Sequence, residues 1–99
     1  MPSYFLTNKA VADLSNIWEY TVEVWSENQA DKYYLELIES CKNIANNEVS
    51  GKNYLAIDNA LFGLQVGRHI IFYRILDEEN IEIIRFLHDR MDLKSRLEE

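Results

Sequence analysis

Two stretches in the first half of the chain repeat apolar side chains at helical spacing. The first covers residues 8–25, and the positions on its predicted buried face are Val11, Leu14, Trp18, Thr21 and Trp25. The second runs from SENQ, residues 26–29, to about residue 46, with Ala30, Tyr33, Leu37, Cys41 and Ile44 on its predicted buried face. Spacings of three and four residues are typical of amphipathic helices. We therefore predict two helices joined by a short turn, which form an antiparallel hairpin.

Each predicted helix is preceded by a residue that can cap it. Thr7 stands before the first helix and Ser26 before the second, and both side chains can accept a hydrogen bond from a free backbone N–H of the first turn. Ser26 and Gln29 also have the spacing of a capping box. These residues predict where the two helices begin.

The second half of the chain changes to short runs rich in β-branched and aromatic residues, which are typical of strands. The three runs are ALFGLQV (60–66), RHIIFYRIL (68–76) and IEIIRFL (81–87). Gly67 is a turn residue between the first two runs, and DEEN (77–80) is a polar turn before the last. The run 68–76 carries apolar side chains on both faces, which predicts a central strand packed on the helices and partly covered on its other side. With a short apolar start at residues 4–6, we predict an α+β fold, β-α-α-β-β-β, whose helical hairpin packs on a mostly antiparallel sheet of three to four strands.

Composition narrows the function classes. The chain has 99 residues, 47% of them hydrophobic and 27% charged, so we expect one folded domain over residues 1–99. A formal net charge of −7 opposes attraction to phosphate backbones, and direct nucleic-acid binding is not expected. No apolar run approaches the roughly 20 residues of a membrane span and no signal segment is recognisable, so we expect a cytoplasmic protein without membrane association. Cys41, the single cysteine, has no disulfide partner in the chain and lies on a predicted buried face.

The densest group of ionisable residues is HDRMD, residues 88–92. His69, His88, Asp89 and Asp92 are candidate metal ligands, but zinc needs three or four converging ligands and the local spacing matches no known ligand pair. No phosphate-binding loop, dinucleotide fingerprint or zincin motif occurs. We expect neither a metal nor an organic cofactor.

A nuclease is the enzyme alternative, because basic side chains gathered on one surface can stabilise charge on a phosphate while a histidine transfers a proton. The residues available for it are Lys52, Arg68, Arg74, Arg85, His88 and Arg90. The plainer interpretation is that Arg68 and Arg74 pair with acids of this chain or of another protein. The negative net charge favours this second interpretation.

Three motifs in order resemble the ParE toxins of type II toxin-antitoxin modules, within the RelE/ParE superfamily. They are AVADLSNIWEYTVEVWSENQADKYYLELI in the helical hairpin, VGRHIIFYRI in the central strand and IEIIRFLHDRMD at the end. The resemblance implies a toxin that is not an enzyme, DNA gyrase as its target, and a cognate ParD-like antitoxin with a ribbon-helix-helix domain and a disordered tail. A heterotetramer or a larger toxin-antitoxin assembly is also implied.

On this resemblance HDRMD is a closing signature that contacts the target through His88, Arg90, Met91 and Asp92, with Asp92 also capping the turn that follows and Met91 packing on the sheet. Antitoxin contacts are expected at Trp25, Tyr34, Phe62, Leu64, Arg68 and Arg74. Phe62 stands where many relatives have an arginine, and residues 47–51 replace a frequent Asn-Pro-x-x-Gly. The alternatives are a RelE-like ribosome-dependent mRNA interferase, which the lack of an aromatic residue at positions 91–93 disfavours, and a nontoxic relative that binds only its antitoxin.

Overall fold

A helical hairpin covers one face of a five-stranded sheet in the computed structural model, which describes residues 2–98. The elements are β1 (Ser3–Leu6), α1 (Asn8–Val24), α2 (Glu27–Ala45), β2 (Lys52–Asn53), β3 (Phe62–Val66), β4 (His69–Ile75), β5 (Asn80–His88) and α3 (Leu93–Leu97). The strand order is β1-β5-β4-β3-β2, with β1 parallel to β5 and every other pair antiparallel. The predicted α+β order and the central place of β4 are confirmed. The two-residue strand β2 was not predicted, and it makes the sheet one strand larger than expected.

Both long helices begin where their caps predicted. Thr7 Oγ1 accepts a hydrogen bond from Ala10 N at 3.0 Å, and Ser26 Oγ accepts one from Gln29 N at 3.1 Å. Thr7 also donates from its hydroxyl to the carbonyl oxygen of Ile84 at 2.7 Å. The first cap therefore fixes the start of α1 and ties it to β5.

The buried face of α1 is rotated from the predicted one. Leu14 and Thr21 are buried as expected, but Val11 is 49% exposed and Trp25 is 74% exposed, and Ala10 is fully buried instead. The sequence predicted a buried face that included Trp18 and Trp25. Instead, α1 buries smaller side chains such as Ala10. The face predicted for α2 is correct, because its five positions are all buried or half-buried.

Apolar side chains form a cluster on each face of the sheet. On the helix side the buried members are Ala10, Leu14, Leu37, Cys41, Ile44, Val66, Ile71, Tyr73, Ile81, Ile83 and Phe86. On the other side they are Leu61, Ile70, Phe72 and Leu87, flanked by half-buried Tyr54, Ile57, Ile84, Leu93 and Leu97. Residues 54–61 and α3 thus provide the partial cover that was predicted for the second face. We call this second group the outer cluster.

A β-bulge in β5 shifts which of its side chains face each cluster. The pairing steps from Phe72 opposite Arg85 to Tyr73 opposite Ile83, so that Ile84 is an extra residue. Strict alternation from Ile83 would place Phe86 on the outer face, yet both belong to the helix-side cluster. The bulge therefore resets the alternation.

Beyond the end of β1, side chains take over the edge of β5. β1 pairs with β5 only as far as Ile83. Past that point Thr7 donates to the Ile84 carbonyl, and Asp13 Oδ2 accepts from Phe86 N at 3.1 Å. Polar groups of α1 and its cap thus satisfy backbone groups that would otherwise need another strand.

Candidate functional site

Three of the four predicted target contacts line one groove. It lies between α1 and the ends of β4 and β5, has a volume of about 370 Å³, and its walls are mostly apolar. We call it the edge groove, and its lining residues are Asn16, Ile17, Tyr20, His69, His88, Arg90 and Met91. Met91 is 40% exposed, so its side chain forms part of the groove surface and is not packed beneath it.

Asp92, the fourth predicted target contact, does not line the groove. Its carboxylate accepts from Ser95 N at 3.3 Å and from Ser95 Oγ at 2.9 Å, and it caps α3. Hydrogen bonds from Ser95 lower the pKa of Asp92 below its usual value. The capping role predicted from the sequence is confirmed.

His69 is held in place by a hydrogen bond with Tyr33. Tyr33 Oη lies 2.6 Å from His69 Nδ1 and 3.0 Å from the carbonyl oxygen of Val66. The direction of the Tyr33–His69 hydrogen bond depends on which ring nitrogen of His69 carries the proton. The His69 ring lines the edge groove.

The neutral state of His69 follows from its surroundings. Burial and the nearby His88 ring lower the pKa of His69 from 6.5 to about 4. The two rings pack edge to face with centroids 5.4 Å apart. The pKa of Tyr33 is raised, chiefly by burial, which keeps the phenol protonated at neutral pH.

His88 is anchored by the segment that follows it. Its Nδ1 accepts from Arg90 N at 3.1 Å and lies 3.4 Å from Asp89 Oδ1. Asp89 in turn accepts from Gln65 Nε2 at 3.1 Å, and its backbone N–H donates to the carbonyl of Arg68 at 2.9 Å. The turn between β3 and β4 therefore helps to hold the C-terminal side of the groove.

Gly67 shapes that turn. Its φ of +55° is in the left-handed region, and a Cβ there would lie 3.0 Å from the Tyr33 ring. The turn predicted from this glycine is confirmed, and the absence of a side chain lets Tyr33 reach His69.

The candidate metal ligands do not converge into a metal centre. Within residues 2–98 no group of three or more His, Cys, Asp or Glu side chains is arranged to hold a metal ion. His69 and Asp92 are already engaged with Tyr33 and Ser95. Cys41 is buried in the helix-side cluster, where desolvation raises the pKa of its thiol to about 12.

The basic residues of the nuclease alternative are dispersed. Arg85 makes two hydrogen bonds to Asp13, Nε to Oδ2 at 2.7 Å and Nη2 to Oδ1 at 3.0 Å, and both side chains are only 12% exposed. Arg85 Nη1 also donates to the carbonyl of Arg96 in α3 at 2.9 Å. Arg74 pairs with Asp58 at 2.7 Å, which is the same-chain partner that the plainer interpretation proposed. Lys52 lies over the ring of Tyr54, 5.1 Å from its centroid.

The residues predicted to contact an antitoxin are spread over several surfaces. Trp25 is exposed at the C-terminal end of α1. Tyr34 lines a groove of about 530 Å³ between the two helices, beside Trp18 and Leu35. Arg68 is exposed at the β3–β4 turn, and Arg74 lies on the outer face of the sheet.

Phe62 and Leu64, the remaining two, face the helices from β3. Both are half-buried against the helix-side cluster. Phe62 stacks on Tyr73 with centroids 5.6 Å apart and lines a further groove of about 400 Å³. Phe62 therefore makes an aromatic packing contact with Tyr73.

Sequence reasoning missed the role of two residues in this region. Asp13 is not among the positions of the predicted buried face of α1, and Tyr33 is predicted only as part of the buried face of α2. Their partners, Arg85 and His69, are 72 and 36 residues away along the chain. The usable signal was the presence of ionisable residues at the margins of the apolar patterns, but no local spacing identifies such distant partners.

The family model for the ParE toxin of the type II toxin-antitoxin system parDE matches residues 4–93. The chain belongs to the ParE family. It is 35% identical over 94 residues to Toxin ParE1 of Mycobacterium tuberculosis, with 95% of this chain and 96% of the relative covered. Toxin ParE1 of Caulobacter vibrioides is 33% identical over 97 residues, covering 98% of this chain and 99% of the relative. Toxin ParE of Escherichia coli is 32% identical over 97 residues, covering 98% of this chain and 94% of the relative.

The fold of this ParE protein is also found in a solved structure, described as the chromosomal ParDE TA system from P. aeruginosa. The TM-score is 0.76 at 23% identity, with 89% of this chain and 96% of that chain covered. The family match and the relatives make the protein a ParE-type toxin of a type II toxin-antitoxin system. In the described part of this ParE chain, no helix is both long and apolar enough to cross a membrane.

The pKa of His69 gives this ParE toxin a testable pH dependence. Above pH 6.5 the ring is neutral in both folded and unfolded chains, but between pH 6.5 and about 4 only the unfolded chain takes up the proton. The folded state therefore loses stability as the pH falls through this window, and the loss levels off below it. We expect the His69 imidazole to titrate near pH 4 by NMR, and the His69→Gln variant to lose less unfolding free energy than wild type across the same window. Titration of His69 near its ordinary value would contradict the assignment.

Proposed function

We propose that this ParE toxin inhibits DNA gyrase by noncatalytic binding and that a cognate ParD-like antitoxin neutralises it. Family membership supports a toxin of this class. The observation that supports the noncatalytic part is the engagement of two of the basic side chains, because Arg85 and Arg74 are each bound to a carboxylate of this chain. A ribonuclease of the kind considered above needs such groups free to face a phosphate.

The edge groove is the proposed contact with the target. It offers apolar walls and the aromatic side chain of Tyr20, with Arg90 beside them, and these residue types are enriched in protein interfaces. Binding by this groove requires only surface complementarity. We propose that residues 1–99 form one toxin domain acting in the cytoplasm, where gyrase is found.

The antitoxin is proposed to cover the exposed apolar side chains of the helical hairpin. Trp25 and Leu35 are 74% and 63% exposed, and Tyr34 lines the groove between the helices. A disordered tail can offset its ordering entropy by burying apolar residues on such a surface. A heterotetramer or larger assembly then follows if the antitoxin dimerises through its ribbon-helix-helix domain.

Supercoiling by purified gyrase tests the proposal. We expect the wild-type protein to inhibit supercoiling and to trap cleaved DNA. The double variant His88→Ala/Arg90→Ala should need roughly thirtyfold more protein, since each lost contact at the centre of an interface costs on the order of 1 kcal/mol. Lys32→Ala, an exposed change on α2, is the matched control and should inhibit like wild type.

Unaffected supercoiling at micromolar wild-type protein, without trapped cleavage, would rule out gyrase as the target. Cleavage of ribosome-bound message that is lost in a folded His88→Ala variant would establish an mRNA interferase in its place. A protein that leaves growth unchanged when expressed without its antitoxin would be a nontoxic relative. Growth arrest and trapped cleavage together are the expected result.

A further inference from the structure

The groove between α1 and α2 keeps apolar surface that the fold does not cover. We call it the hairpin groove. Its volume is about 530 Å³, and its apolar walls come from Leu14, Trp18, Tyr34 and Leu35. Leu35 is 63% exposed, and Trp25, about two helical turns beyond Trp18, is 74% exposed. The sequence pattern predicted Trp18 and Trp25 on a buried face, and the sheet of this chain does not bury Trp25. Exposed apolar surface of this kind marks an interaction site.

The ionisable side chains of the hairpin groove are acidic. Glu19 and Asp31 line it, and among the residues that the structure describes no basic one does. One turn further along their helices, on the same sides as these two acids, lie exposed Glu23 and Glu27. Lys42 of α2 lines a different groove, beside the first strand. A partner segment with basic side chains next to its apolar ones would therefore complement this surface.

The walls of the hairpin groove favour a helix over an extended segment. The backbone groups along α1 and α2 are used in their own helical hydrogen bonds, so the walls present side chains. The Trp18 indole is already engaged, since Nε1 donates to Asp31 Oδ1 at 3.0 Å. The other polar groups of the lining, from Ser15, Glu19 and Tyr34, are too few for the backbone of an extended segment. A helix satisfies its own backbone groups and needs only an apolar face.

We infer that the hairpin groove binds an amphipathic helix of the antitoxin, with lysine or arginine side chains flanking the apolar face of that helix. The inference rests on the proposed function in that the antitoxin covers the helical hairpin. It adds the conformation and the charge of the segment that lies there.

Other occupants fit the hairpin groove less well. A second copy of this chain, docked through the same face about a two-fold axis, would bring its own carboxylates against Glu19 and Asp31. An acidic helix would be repelled by the same two residues. A basic segment without an apolar face would leave Leu35 and Trp25 exposed to water.

Three synthetic peptides of about 20 residues test the inference on the intact toxin, without gyrase and without the antitoxin. In the first, leucines form a stripe at helical spacing and lysines flank it. The second has glutamate in place of every lysine, and the third has the composition of the first in an order that gives no stripe. Each peptide is titrated into isotope-labelled protein and followed by NMR. We expect the first to shift the Trp18 indole N–H and the Leu35 methyl signals and to bind roughly tenfold more tightly than the other two.

Neutralising the acids of the hairpin groove should weaken the binding of the first peptide. In Glu19→Gln/Asp31→Asn the side chains keep their size, and the amide oxygen at position 31 can still accept from Trp18. We expect roughly fivefold weaker binding, since two exposed ion pairs are lost. Glu36→Gln/Glu48→Gln is the matched control, because it changes the net charge equally at exposed positions outside the groove, and it should bind like wild type.

Equal weakening in the two double variants would overturn the inference, since it would show that the peptide responds only to the net charge of the chain. Equal or tighter binding of the glutamate peptide or of the peptide without a stripe would do the same, as would the absence of binding by all three. The proposed function is tested separately, by the supercoiling assay and by relief of growth arrest on coexpression of the antitoxin. A failure of the inference and a failure of the proposed function are therefore distinguishable.

Discussion

Replacing Arg85 with alanine is expected to cost about 3–5 kcal/mol of unfolding free energy, because the change leaves the carboxylate of Asp13 buried without its charge partner. Both side chains are 12% exposed, so solvent screens the pair only slightly. The change also removes the donor to the Arg96 carbonyl, which helps to hold α3. In a domain of this size the midpoint of thermal unfolding should fall by more than about 10 °C.

The double variant Asp13→Leu/Arg85→Met is the informative control. It removes both charges and restores apolar volume, and replacing a buried ion pair in this way is often close to neutral. One loss remains, because Phe86 N donates to Asp13 and would lose its acceptor. We therefore expect the double variant to recover at least half of the stability lost in Arg85→Ala, as measured by urea unfolding. Equal losses in the single and double variants would show that the pair matters through packing and not through charge.

This expectation changes how a loss of toxicity in Arg85→Ala is interpreted. The side chain belongs to a nuclease-like set by residue type, yet it joins α1, β5 and α3. A nontoxic Arg85→Ala protein would most directly report unfolding. His88→Ala and Arg90→Ala are better probes of function, since both residues line the edge groove.

Truncating Phe72 to alanine is expected to cost about 3–5 kcal/mol, the range for a fully buried phenylalanine. Phe72 is 0% exposed at the centre of the outer cluster, and its ring packs edge to face against Tyr54 with centroids 5.0 Å apart. Removing it leaves a cavity beneath residues 54–61 that the stiff central strand cannot close.

Ile75→Ala, in the same strand, is the control for Phe72→Ala. Ile75 is 59% exposed, so its truncation should cost less than about 1 kcal/mol. Unfolding curves in urea measure both variants. A loss of less than about 1.5 kcal/mol in Phe72→Ala would mean that the outer cluster contributes little, and that the helix-side cluster alone stabilises the fold.

Features that depend on neighbouring residues could be predicted from the sequence. Thr7 and Ser26 were assigned as caps because an N-cap is recognised within three residues, and both caps are present. The alternation along β4 was visible because that strand has no bulge of its own. The family was recognisable for a related reason, since its motifs are contiguous runs.

Features that depend on distant partners could not be predicted. The bulge at Ile84 changes which side chains of β5 face each cluster, and no turn residue marks it in the sequence. The outer cluster depends on residues 54–61, whose apolar side chains follow neither a helical nor a strand period. In the candidate site, His88, Arg90 and Met91 were predicted together because they are adjacent, while His69 and Tyr20 join them only through the fold.

The way β5 is closed beyond β1 also bears on how the protein behaves at high concentration. A bare strand edge is a template on which identical chains can pair and aggregate. Thr7 and Asp13 occupy the backbone groups of Ile84 and Phe86 that would form this template. The short first strand is thus compatible with solubility, because two polar side chains protect the edge against self-assembly.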